Sequence, residues 1–265
     1  MKKDYSATPV IVLVSIYLAL PIAVTFVYSL FQEWMEVLPK GLTFRYYAMV
    51  FSQEGFGGAL LRSVVISIAP VLICAVIILL AMYVVVVYLP KMDAVMQVLC
   101  TIPYAIQGVI LAVSVLTLYS GAPKPFSNRV FMLVATYCVF ILPYMYRGIK
   151  NSFNAINVKQ LMDAAQVLGA KKLYAFAAVI VPNTISGITV SALLSMALLF
   201  GDFVIVNIIG GSYYSTAQMH LYRTMNKSGQ LASAMVIIMF AITFILSMSV
   251  FLYGNRKDAK ELEEQ

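Results

Sequence analysis

The sequence predicts an all-α membrane protein with six transmembrane helices and both termini cytoplasmic. Composition is the first reason: 62% of the 265 residues are hydrophobic and only 11% are charged, where a soluble domain carries about 25% charged residues. The second is the length of the apolar runs. A bilayer core takes roughly 20 mostly apolar residues per helix, and six runs qualify, at about 10–31, 60–89, 94–119, 129–146, 183–209 and 231–253. Charge placement is the third. With the N-terminus inside, Lys2, Lys3, Lys91, Arg147, Lys150, Lys159, Lys171, Lys172, Arg256, Lys257 and Lys260 are internal, eleven of the 18 basic residues. Lys40, Arg45, Arg62, Lys124, Arg129, Arg223 and Lys227 are external. An inward excess of Lys and Arg is what orients membrane proteins.

Each element follows in order. The first run begins after Lys2-Lys3, as a secretory signal does, but it exceeds the roughly 7–15 residues of a signal core and no small-residue cleavage site follows. It is expected to persist as a helix. Residues 32–59 form the longest external connection, with turns marked by Trp34, Pro39, Gly41, Gly55, Gly57 and Gly58. The second run is long enough to tilt. In the third, Pro103 is expected to bend the helix, and Tyr104 and Gln107 lie near the midplane, roughly 15–21 Å from Asp93 at about 1.5 Å per residue. Both are expected to line a translocation path. Cys74, Cys100 and Cys138 fall inside the runs, which argues against a disulfide framework or a metal cluster. His220, the only histidine, is expected to be solvated, and the charged tail after Gly254 to fray. The net charge of +7 reflects topology, because no basic and aromatic cluster marks a nucleic-acid footprint. The lipid bilayer is the expected partner, and residues 1–265 form one domain.

The most informative hydrophilic segment is the inner loop at about 150–182. Residues 158–168 suit a short helix, with Asn157 as its N-cap and Gly169 at the left-handed position that ends it. A second helix starts near Lys171, and Pro182 marks a kink where this run meets the fifth span. Ala164, Ala165, Gly169 and Ala170 have almost no side chain, which suits a helix that sinks into a partner's groove. Asp163 and Lys171-Lys172 flank them with charges that orient such a contact.

This segment resembles the cytoplasmic loop of permeases of binding-protein-dependent ABC importers. The family pattern is Glu-Ala-Ala, three residues, Gly, nine residues, Ile, one residue, Leu-Pro. Here Asp163-Ala164-Ala165, Gly169, Val179 and Val181-Pro182 keep that spacing, with Asp in place of Glu and Val in place of Ile and Leu. The resemblance implies a type I ABC importer permease fold in a prokaryotic cytoplasmic (inner) membrane. It implies a coupling helix seated on an ATPase, with Asp163, Ala164, Ala165, Gly169, Ala170, Lys171 and Pro182 in the coupling loop. The implied partners are two cytoplasmic ATPase subunits, a second permease subunit and an extracytoplasmic substrate-binding protein. ATP and Mg would sit on the ATPase. The chain itself has no Gly-x-x-x-x-Gly-Lys-Ser/Thr phosphate loop and is expected to hold no cofactor and to be no enzyme.

In the fifth span Gly187, Ser191, Ser195 and Asp202 fall within about 80° of one helix face at about 100° per residue. Small residues at this spacing suit close helix packing. A carboxylate inside a span is costly unless it faces protein or water, so Asp202 is read as an interfacial acid that reaches solvent or pairs with Arg223 or Lys227, or as a lining group of the outward cavity. Ser191 and Ser195 are candidate path residues beside it. Asp202 with tyrosines suits an amine. Gly201-Asp202-Phe203, Gly210-Gly211-Ser212-Tyr213 and Leu221-Tyr222 resemble spermidine/putrescine permeases, whereas Trp34 and Leu38-Pro39-Lys40-Gly41-Leu42-Thr43 are similar to aminophosphonate and iron permeases. A polyamine or similar amine is the expected solute. An ion-coupled secondary transporter would need repeated, broken helices and coupling-ion groups, and an embedded enzyme a nucleophile–base or metal constellation.

Overall fold

A computed structural model describes residues 8–34, 39–106 and 108–263. Gln107, Leu38, Lys2 and Lys3 lie outside the described residues. Among the described residues four helices are long and apolar enough to cross a bilayer: α1 (Thr8–Ser29), α3 (Phe56–Val87), α6 (Arg129–Ala155) and α12 (Gly229–Glu263). Two bent pairs bring the number of spans to as many as six. The first comprises α4 (Asp93–Thr101), a 3-10 turn Ile102–Ala105 and α5 (Gly108–Tyr119). In the second, α8 (Lys172–Ala175), a π-helical turn Phe176–Ile180 and α9 (Val181–Asn183) lead to α10 (Ile185–Gly201).

Residues 31–33 and 40–42 depart from the all-helical expectation. Phe31–Glu33 (β1) pairs antiparallel with Lys40–Leu42 (β2), and α2 (Arg45–Ser52) follows. Tyr47 closes this excursion onto α1, its hydroxyl 2.6 Å from Ser29 Oγ. The last connection holds α11 (Ala217–Met225). Its first backbone N–H, which has no partner within the helix, donates to Ser63 Oγ of α3 at 2.9 Å. At the C-terminal end α12 continues as helix to Glu263, past the point where the sequence suggested fraying.

The core is the triangle of α3, α6 and α10, with α6 at its centre. Leu133, Tyr137, Ile141, Met145, Ile149 and Phe153 are all buried. They recur every fourth residue, so they form one continuous ridge of the kind that seats in a neighbour's groove. The other face of the same helix is built for close approach. A side chain on Gly148 would overlap Ser191 of α10, and one on Gly187 would overlap Ser152 of α6. Gly148–Ser191 and Ser152–Gly187 are thus two reciprocal tiers of a small-residue crossing. This accounts for the stripe on the fifth span: Gly187, Ser191 and Ser195 sit at or behind the helix crossing, and Ser195 is fully buried.

The fifth apolar run is not one helix. The segments 172–183 and 185–201 meet at 68°, and the chain breaks again at Asp202, whose backbone is extended. Pro182 explains the first break. It has no N–H to donate and its ring crowds the carbonyl four residues back, so the preceding turn widens into the π form at 176–180. Side chains take over carbonyls at this bend: Asn183 Nδ2 donates to the Val179 carbonyl at 2.7 Å, and Thr184 Oγ1 lies 3.0 Å from both the Ile180 and Val181 carbonyls.

Candidate functional site: a helical knuckle, a capped break and a cleft

The inner loop folds as its sequence suggested. The helix α7 (Val158–Val167) starts at Asn157, whose side chain accepts from Gln160 N at 3.3 Å. Gly169 closes it at φ +86°. Its N–H donates to the Gln166 carbonyl at 2.9 Å, and the Ala170 N–H donates to Ala165 at 3.0 Å. This pair of bonds is the Schellman closure, which requires a left-handed residue at the Gly169 position.

Exposure corrects the docking picture in one respect. Ala165 is buried with Met162 against the body of the protein, so it supports the helix and does not present a surface. Asp163, Ala164, Gly169 and Lys171 are exposed, and Ala170 is half-buried. The apolar surface at the tip belongs to Val167 and Leu168, 86% and 88% exposed. The small residues stand out in the sequence, whereas the side on which the Schellman turn leaves Val167 and Leu168 is set only by the fold. Pro182 lies at the bend 13 residues beyond Gly169 and shapes how the loop rejoins α10.

Asp202 stands at the second break. Its Oδ2 accepts from Tyr137 Oη at 2.9 Å, from Ile205 N at 3.0 Å and from Val206 N at 3.3 Å. It therefore caps the helical turn that continues into the π segment Val206–Gly210. The carboxylate takes the orphan N–H groups that any helix start exposes, and a fully buried tyrosine of the α6 ridge holds it. Among the described residues no ion pair joins it to Arg223 or Lys227. The expected pairing is replaced by a structural cap.

The structure separates the remaining path candidates. Tyr104 and Ser191 line one cleft of about 500 Å³ between α6, α10 and the Ile102–Ala105 turn. Fully buried Ser195 does not line it, and neither does Asp202. The cleft wall also carries Tyr144, Arg147, Asn151 and Ser186. Arg147 Cζ lies 4.8 Å from the centroid of the Tyr104 ring, and that ring packs 5.0 Å from Tyr144. An apolar run that ends at 146 leaves Arg147 and Asn151 outside the fourth span. Helix α6 runs on to Ala155, so Tyr144, Arg147, Gly148, Asn151 and Ser152 fall at helical spacing on a single face. Nearby, Lys150 Nζ bonds Asp93 Oδ1 and ties α6 to the start of α4. His220, expected to be solvated, is half-buried and meets Phe56 edge-on at 6.2 Å between ring centroids.

The broken helices alone leave the transport class open. Residues 91–257 match the family described as the binding-protein-dependent transport system inner membrane component. The chain belongs to this family. It is a permease subunit of a binding-protein-dependent ABC importer and a multi-pass membrane protein. One relative, from Salmonella typhimurium, is named as a 2-aminoethylphosphonate transport system permease protein, PhnV; it is 24% identical over 254 residues, covering 94% of each chain. Another is the spermidine/putrescine transport system permease protein PotB of Escherichia coli, 36% identical over 72 residues, 27% of this chain and 26% of that one. A solved bacterial ABC transporter, involved in import of the acidic polysaccharide alginate, contains a chain of the same fold, with TM-score 0.69 and 17% identity over 94% of this permease and 93% of that chain.

Proposed function

We propose that this permease forms half of a translocation path and couples it to ATP hydrolysis on a separate subunit through α7. One observation carries the proposal: a Schellman-closed knuckle that holds Val167 and Leu168 out, flanked by Asp163 and Lys171. In this reading six spans place both termini and the knuckle in the cytoplasm. Two ATPase subunits, holding ATP and Mg, receive the knuckles of this chain and of a second permease. An extracytoplasmic binding protein delivers the solute, and no cofactor binds this chain.

The solute is a small aliphatic amine. Support comes from the two curated relatives, whose named substrates, 2-aminoethylphosphonate and spermidine or putrescine, share an amino group. The experiment is co-purification of the tagged permease with its ATPase from native membranes. Gly169→Val forces a branched residue into the left-handed region at a cost of roughly 1–2 kcal/mol and removes the closure that sets Leu168. ATPase recovery is expected to fall while membrane insertion is unchanged. Undiminished recovery would overturn the coupling role.

A further inference from the structure

The charged side chain that faces the cleft is a cation. Of the residues lining it, Arg147 alone carries a charge, and none is acidic. Asp202, the acid expected to meet an amine, is spent on Tyr137 and two backbone N–H groups. Among the described residues no carboxylate pairs with Arg147. Its guanidinium instead lies over the Tyr104 ring. An aromatic ring fixes the plane of a guanidinium while leaving its N–H groups free for hydrogen bonding, and that planar fork matches a carboxylate, phosphate or phosphonate.

Two further donors stand on the same wall. Asn151 lies four residues, about one helical turn, beyond Arg147 on α6, and Ser186 faces it from α10. Both are exposed to the cleft. Ser152 is less available, because its hydroxyl already donates to the Gly148 carbonyl at 3.1 Å. The Gly148–Ser191 and Ser152–Gly187 tiers lie in the wall beside these donors and let α6 and α10 approach closely.

We propose that Arg147, with Asn151 and Ser186, is a subsite for a phosphonate- or phosphate-type oxyanion. The inference rests on the permease reading and deepens it: a solute using this cleft carries an anionic group besides its amine, and a purely cationic polyamine is repelled there. The same oxyanion chemistry exists on a free solute and on a phospholipid headgroup.

The test uses the full-length permease, labelled with nitrogen-15 at arginine, in nanodiscs of zwitterionic phosphatidylcholine. Six arginines give six Nε–H signals at most, and Arg147 is assigned by its loss in Arg147→Gln. Methylphosphonate is titrated first, then putrescine, and a separate preparation contains phosphatidylglycerol. The expected result is a saturable shift of the Arg147 signal by methylphosphonate, with affinity on the order of 1 mM, and no shift by putrescine. Arg147→Lys keeps the charge but loses the fork, so methylphosphonate binding, followed by phosphorus-31 line broadening, should weaken roughly tenfold. This variant guards against misfolding of Arg147→Gln. No shift, a shift by putrescine alone, or a shift that appears only with phosphatidylglycerol would overturn the solute subsite. The assay contains neither ATPase nor binding protein, so its failure removes the subsite and leaves the coupling reading standing.

Discussion

Replacing Asp202 with alanine and with asparagine separates a structural cap from a charged path residue. One oxygen of Asp202 accepts from Tyr137 Oη at 2.9 Å, Ile205 N at 3.0 Å and Val206 N at 3.3 Å. Alanine removes the acceptor from all three. Loss of an N-cap costs about 1 kcal/mol, within a range of roughly 0.5–2. The Tyr137 hydroxyl, on a residue with 0% exposure, is then buried without its partner, which costs roughly 1–3 kcal/mol more. The expected destabilisation of Asp202→Ala is therefore about 2–4 kcal/mol. Asparagine retains an oxygen of the same reach and is an equally good cap, so Asp202→Asn should lose about 1 kcal/mol or less. Tyr137→Phe removes the orphaned hydroxyl, so Asp202→Ala in that background should cost less than it does in the wild type, by the coupling energy of the pair. Reversible unfolding in mixed micelles of increasing SDS fraction measures the wild type and all four variants, with uptake assayed in parallel. If Asp202→Ala unfolds like wild type, the cap is not the role of this residue. If Asp202→Asn folds normally but abolishes uptake, the charge itself acts in transport, and the cap is only part of the account.

Two further outcomes follow from the packing and the charges. Gly187→Leu should separate α6 from α10, because even a single added carbon overlaps Ser152; overpacking of this kind typically costs roughly 1–3 kcal/mol, read in the same unfolding assay, and Ser152→Gly should recover part of the loss. His220, outside the spans, has its pKa held below the usual imidazole value by burial first, and then by Arg223 and Arg62. The unfolded chain therefore binds the proton more readily. Stability from this site is full above the unfolded value of about 6.5 and declines as pH falls through it toward the lower folded value. Unfolding at pH 7.5 and 5.5 should show that decline in the wild type and a smaller one in His220→Gln.

Local chemistry accounts for what was legible in the sequence. The inner loop is the best case: Asn157, Gly169 and Pro182 act through their own backbone neighbourhoods, so spacing alone placed a cap, a left-handed stop and a kink. Apolar length likewise located the four long membrane helices, because a bilayer demands it regardless of what each helix touches. Mutual arrangement was beyond the reach of spacing. Ala165 faces inward and Leu168 outward because α7 lies against the body of the protein on one side only. Asp202 looked like a lone acid on a helix face because the break that turns it into a cap depends on Tyr137, 65 positions away in the chain. Arg147 follows the apolar run and so reads as a loop charge, but α6 extends past it and sets it over Tyr104. Hydropathy, capping and glycine stops are properties of a few consecutive residues, so the sequence alone determined them. Which charges are satisfied, and which remain facing a cleft, depends on partners from distant elements, and only the tertiary structure decided that.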